Sequence, residues 1–100
     1  MKKPTVSVAF QIMPKASTHK KTIALVDFAI DVVKKSGVIY EVGAMETTME
    51  GNNLEKLMAI VKKANAICLS QGAKSIFINM KVACNPSGLM SIHEKTTKHR

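Results

Sequence analysis

Aromatic side chains are scarce in this chain: Phe10, Phe28, Tyr40 and Phe77 are the whole set, 4% of 100 residues, with no Trp. Stacking platforms for single-stranded nucleic acid use more rings than that, and a large aromatic cofactor cage is not expected either. Arginine is nearly absent. Fifteen Lys+Arg stand against seven Asp+Glu for a net charge of +8, yet the single Arg is Arg100. Reading of base edges and bidentate grip on phosphate lean on Arg. The lysines instead fall in pairs, Lys2-Lys3, Lys20-Lys21, Lys34-Lys35 and Lys62-Lys63, the pattern of solvated faces that keep a chain soluble. Two cysteines, Cys68 and Cys84, make no disulfide framework and have no His at metal-ligand spacing, so they are expected as small core hydrophobes. No apolar run approaches the roughly eighteen residues of a membrane span. The Lys2-Lys3-Pro4 start is followed by an apolar stretch too short for a signal peptide. These absences predict a cytoplasmic protein with no membrane and no specific nucleic-acid partner. At 46% hydrophobic and 22% charged, residues 1–100 are expected to form one domain.

What is present is clear periodicity. From Thr5 to Ile12, Val6, Val8, Phe10 and Ile12 alternate with Thr5, Ser7, Ala9 and Gln11, as in a half-buried strand, and Pro14 is expected to end it. Ser17 and Thr18 are N-cap candidates for a helix running to about Lys35. Its expected stripe is Ile23, Val26, Ile30 and Val33, widened by Leu25, Phe28 and Val32, with Gly37 as the left-handed stop. Asp27 and Asp31 lie one turn from lysines. Val38–Val42 and Met45–Glu50 read as a hairpin around a two-residue Gly43-Ala44 turn of type II′. Gly51-Asn52-Asn53 then breaks the chain and caps a second helix, Leu54 to about Ser70, closed by Gly72. Its inward face is Leu54, Leu57, Met58, Val61, Ala64 and Cys68, while Ile60 and Ile67 either broaden that stripe or contact a partner. Lys74–Cys84 is the last strand, with Ile76, Ile78, Met80 and Val82 inward. The turn Asn85-Pro86-Ser87-Gly88 leads to a short polar helix or tail, so that about 87–100 forms a C-terminal appendage.

This order, β-α-β-β-α-β, is the ferredoxin-like α+β arrangement, a four-stranded antiparallel sheet with both helices on one face. The other face is left bare, and Phe77, Ile39 and Ala9 on it suggest a subunit interface.

A two-residue turn sets Glu41 opposite Glu46 and Tyr40 opposite Thr47, with Glu50 four residues beyond Glu46 on the same face. Like charges directly across a strand pair repel. The acid-rich face is therefore either a solvated edge neutralised by Lys81, or a site for a cationic or amine-bearing ligand. Tyr40 and Thr47 either satisfy each other in the core or offer hydroxyls to a ligand, and Asn65 either bonds locally or projects an amide into a cavity. There is no Gly-rich phosphate loop, metal-ligand cluster or nucleophile motif, and His19, His93 and His99 are expected to face solvent.

The segments VSVAFQIMP (Val6–Pro14), YEVGAMETTMEG (Tyr40–Gly51) and SGLMSIHEKTTKHR (Ser87–Arg100), in this order and separation, closely resemble the small YkoF-like, thiamine-binding-protein-like family, once catalogued as a domain of unknown function. The most specific part is Thr47-Thr48-Met49-Glu50-Gly51 behind Tyr40-Glu41-Val42-Gly43. The resemblance implies a ferredoxin-like protomer, homo-oligomers (dimers or tetramers) built through the sheets, and binding of thiamine or its hydroxymethylpyrimidine moiety without turnover and with no cofactor. It places Ser7, Tyr40, Thr47, Thr48 and Glu50 in the ligand pocket, while Gln11 and Glu46 bear on ligand choice. The competing class is an RNA-associated or regulatory interaction module using the basic surface. An enzyme of thiamine salvage is a third, and it lacks a candidate base and nucleophile.

Overall fold

The computed structural model describes residues 3–97 and 99. Lys2 and Arg100, noted above for their charge, lie outside the described residues. The element order is β1 (Val6–Lys15), α1 (His19–Lys35), β2 (Ile39–Val42), β3 (Thr47–Gly51), α2 (Leu54–Ser70), β4 (Ser75–Cys84) and α3 (Ile92–Thr97). The strands form one antiparallel sheet in the order β2-β3-β1-β4. This is the expected ferredoxin-like α+β fold with one short helix added.

Val6, Val8, Phe10 and Ile12 send their side chains to the helix-covered face. There they meet Met49 from β3, Leu25, Ala29 and Val33 from α1, and Leu57, Ile60, Val61, Ala64 and Cys68 from α2. Thr18 caps α1 by accepting from the Lys21 N–H at 3.1 Å, and Asn53 caps α2 by accepting from the Lys56 N–H at 3.1 Å. Each cap thereby satisfies one of the orphan first-turn donors of its helix. Asp31 pairs with Lys35 at 2.8 Å as its spacing predicts, and Gly37 follows α1 with φ +84.

Several expectations are corrected. Pro14 does not end β1, which runs to Lys15. Beyond Phe10 the strand has β4 alone as neighbour, and proline is tolerated where one edge of a strand is open. In α1, Ile23 and Phe28 are 49% and 42% exposed, and the buried line is Leu25, Ala29 and Val33. The apolar spacing shows that a helix forms but not the azimuth at which it lands. In α2, Leu54 is exposed while Ile60 is buried and Ile67 packs against the core, so both isoleucines broaden the stripe. Met80 and Val82 lie on the helix side of β4 but stay 40% and 47% exposed, because the helices do not reach that end of the edge strand. Cys68 is a buried core residue as expected, but Cys84 is exposed at the end of the edge strand β4.

The hairpin loop is four residues long, not two: Val42 pairs with Thr47, Glu41 with Thr48, Tyr40 with Met49 and Ile39 with Glu50. Gly43 closes the loop through its N–H to the Glu46 carbonyl at 2.9 Å, and a Cβ on Gly43 would sit 2.9 Å from that same oxygen. This register removes the Glu41–Glu46 opposition and frees Glu46 to meet Lys81 at 3.0 Å, the neutralising partner expected from sequence. A two-residue slip keeps every side chain on its original face.

Candidate functional site

Alternation along β3 sends Thr47 and Met49 toward the helices and Thr48 and Glu50 toward the opposite, open face. On that open face Ser7, Glu50 and Ile39 form one cross-strand row. Ser7 and Glu50 are nevertheless buried, at 9% and 6% exposure. The cover comes from the C-terminal arm, so this face is not bare throughout.

The arm is fastened by ordinary backbone chemistry. The Asn85 N–H donates to the Thr5 carbonyl at 2.9 Å and the Leu89 N–H to the Pro4 carbonyl at 2.7 Å. Between them Asn85-Pro86-Ser87-Gly88 forms a turn in which the Asn85 Oδ1 accepts from the Ser87 N–H at 3.0 Å. Gly88 has φ +111, and a Cβ there would lie 3.0 Å from the Lys3 Cβ, so the turn fits against the N-terminal segment only as glycine. Ser91 then caps α3. Its Oγ accepts from the Glu94 N–H at 3.0 Å while Glu94 Oε1 accepts from the Ser91 N–H at 3.1 Å, a reciprocal capping box. The Ser91 N–H bond holds the Glu94 carboxyl below the usual carboxylate range, with smaller help from the charges of Lys3 and His93.

Glu50 links the arm to the sheet. Its Oε2 accepts from the Ile92 N–H at 2.9 Å, at the first turn of α3. The Ile92 side chain is itself buried outside the main core cluster. Among the described residues no buried side-chain nitrogen or oxygen lacks a partner. A carboxylate has about four accepting positions, so Glu50 retains capacity beyond this one bond.

Between the arm and the β2–β3 edge lies a groove of about 700 Å³. Its walls are Lys3 and Pro4, the strand pieces Ile39, Tyr40, Glu41, Glu50, Gly51 and Asn52, and the arm residues Ser91, Ile92, His93, Glu94 and Thr96. Three carboxylates, Glu41, Glu50 and Glu94, face it against Lys3 and His93, so the groove is acidic in a chain of net charge +8. A cavity of about 100 Å³ at the other end of the hairpin is lined by residues 42–47, Gln11 and α1. Among the described residues no cluster of His, Cys, Asp and Glu could hold a metal ion.

Of the five residues singled out from sequence, Tyr40 and Glu50 line the groove. Tyr40 shares a pleat with Met49 rather than with Thr47 and borders the groove from the sheet edge. Ser7 lies directly opposite Glu50, and Thr48 lies one step along the same face beside Ala9 and Glu41. Thr47 is turned to the helix side, where it lines the smaller cavity with Gln11 and Glu46. Asn65 is half-buried on α2. Sequence reasoning missed Asn52, Ile92, His93 and Glu94. The spacing Ser91-x-x-Glu94 signals a helix start, but nothing local shows that this helix docks on the sheet.

Fold and groove together define a small ferredoxin-like protein with an acid-rich groove where its C-terminal arm crosses the open sheet face. The chain belongs to the thiamine-binding protein family, whose model matches residues 8–100. It is 36% identical over 96 residues to a UPF0045 protein of Clostridium perfringens, covering 96% of this chain and 98% of that one. Its structure is similar to that of a domain of unknown function, DUF77, from Bacillus cereus, with a TM-score of 0.85 at 42% identity, covering 98% and 92% of the two chains. It is also similar to a candidate thiamine biosynthesis/salvage protein of Thermotoga maritima, with a TM-score of 0.82 at 29% identity, covering 97% and 100%. No helix among the described residues is long and apolar enough to cross a membrane.

Proposed function

We propose that this protein binds thiamine or its hydroxymethylpyrimidine moiety in the Glu50 groove, without turnover, and sequesters or delivers it in the cytoplasm. The observation that carries this reading is a carboxylate at 6% exposure on the wall of an acid-rich groove, tied by one oxygen to the Ile92 N–H. An aminopyrimidine offers an exocyclic amine as donor, and a thiazolium carries positive charge. Both are complementary to Glu50, Glu41 and Glu94. Charge-assisted bonds of this kind are the strong ones, and more so where water is displaced. The volume of about 700 Å³ lies within the roughly 300–1,000 Å³ of small-molecule pockets. Family membership points the same way.

In this reading Glu50 and Tyr40 contact the ligand, and Ser7 and Thr48 extend the polar row beside Glu50. Thr47 supports the hairpin from the helix side. The groups in the groove serve to orient a ligand, and no chemical step is assigned to them. The open sheet face, with Ile39 and Phe77 at 65% and 64% exposure, is the surface through which dimers or tetramers would assemble. Calorimetric titration with thiamine and with hydroxymethylpyrimidine tests the ligand. The expected result is saturable binding of both, with each recovered unchanged from the mixture. Absence of binding, or conversion of either compound, would overturn the proposal.

A further inference from the structure

On the side of the molecule away from the sheet, α1 and α2 leave a seam of about 430 Å³ to which no strand contributes. Its floor is apolar: Phe28 at 42% exposure, with Val32, Ala59 and Ile67. Its rim is cationic, formed by Lys35, Lys56 and Lys63. The one acid lining it, Asp31, is already bonded to Lys35 at 2.8 Å. On α2 the lining positions 56, 59, 60, 63 and 67 form one continuous stripe, which at 1.5 Å per residue spans about 16 Å, or three turns. Lys56 and Lys63 stand two turns apart on that stripe. None of these residues belongs to the Glu50 groove, so the seam is unconnected to the reading above and goes beyond it.

We propose that this seam docks an acidic amphipathic helix of a partner protein. Leucine-type side chains spaced one turn apart lie on Phe28, Val32 and Ile67, and carboxylates two turns apart meet Lys56 and Lys63. The helix-in-groove mode needs an elongated apolar floor with charge along its margin, and both are present here. A second copy of this chain is a poor occupant, because a two-fold contact would set the same lysines against each other. RNA is disfavoured by a floor with one ring and a rim without arginine.

The test uses a fluorescent synthetic peptide of about 14 residues, ~21 Å as a helix, with Leu at i, i+4, i+7 and i+11 and Glu on both flanks. A scrambled peptide and a Lys-flanked counterpart serve as probes of pattern and charge. Fluorescence anisotropy should show saturable binding of the Glu-flanked peptide alone, weakening as salt is added. The double variant Lys56→Glu/Lys63→Glu should weaken it by about tenfold or more, and Phe28→Ala should weaken it with the charges intact. Thiamine affinity of the same variants, which lie outside the Glu50 groove, should be unchanged. No saturable binding, equal binding of the Lys-flanked peptide, or indifference to the double variant would overturn the proposal. Tighter Lys56- and Lys63-dependent binding of anionic vesicles or of RNA would overturn it as well, by assigning the seam to that occupant.

Discussion

Glu50 has two duties that a pair of substitutions separates. Its carboxylate accepts from the Ile92 N–H at 2.9 Å and stands on the groove wall. Glu50→Gln keeps a carbonyl oxygen for that N–H and removes the negative charge. Thiamine affinity should fall about tenfold or more, in line with the ~1.5–3 kcal/mol of a charge-assisted hydrogen bond, with Tm nearly unchanged. Glu50→Ala takes away the acceptor too. It orphans the Ile92 amide at a cost of about 1–3 kcal/mol, so it should lower Tm and accelerate amide exchange through residues 92–97. Calorimetry and thermal melting of both variants check this. If Gln loses stability as Ala does yet binds thiamine normally, Glu50 serves only as an anchor for the arm.

At the scale of elements, α3 is the most dependent piece of the fold. Six residues are too few to form a helix alone, so α3 relies on the Ser91–Glu94 capping box and on Glu50. The Glu94 carboxyl is held below its ordinary value by the Ser91 N–H. A group whose pKa is lowered in the folded state stabilises that state at neutral pH. Its contribution is lost as pH falls through the lowered pKa, beneath the ordinary glutamate value of about 4.3. In an acid titration followed by amide shifts, residues 91–97 should loosen before the core residues 57–68, with thiamine affinity falling in parallel. Simultaneous loss of both regions would contradict a separately capped arm. The elements themselves were largely legible. Helix α2 spans Leu54–Ser70 as its apolar spacing and the Asn52-Asn53 break predict, and β2 and β4 fall within a residue of where alternation places them, whereas β1 runs past Pro14 and β3 starts at Thr47 rather than Met45. The hairpin register is not legible, because Gly43-Ala44 resembles a two-residue turn and a two-residue slip leaves every side chain on the same face; the pairing found sets Glu41 opposite Thr48 and so avoids facing glutamates. Glu50 and Tyr40 were legible as site residues from the hairpin. Their neighbours on the arm were not, since the Glu50–Ile92 bond spans 42 residues of sequence and carries no local signal.

At the scale of the whole molecule, exposed apolar residues stand among lysines on both sides, Phe28 beside Lys35, Lys56 and Lys63 on the helices and Phe77 on the sheet face that also carries Lys81. The net charge of +8 is carried largely by exposed lysines, while the sheet face displays Phe77 beyond the arm and Ile39 at the wall of the groove. Light scattering at micromolar concentration should give a mass above that of the monomer, and Phe77→Glu should reduce it. A monomer at all concentrations would contradict assembly through this face. RNA should bind weakly, with affinity collapsing as salt rises, because scattered lysines act through counterion release alone. The central claim is that a thiamine-type ligand occupies the groove between Glu50 and the arm, and mapping it on the folded chain tests this most directly. In amide spectra of ¹⁵N-labelled protein titrated with thiamine, saturable shifts should cluster at residues 39–41, 50–52 and 91–96, leaving the α1–α2 seam unmoved. Absence of saturable shifts, or shifts centred on residues 42–47 and the smaller cavity, would contradict it.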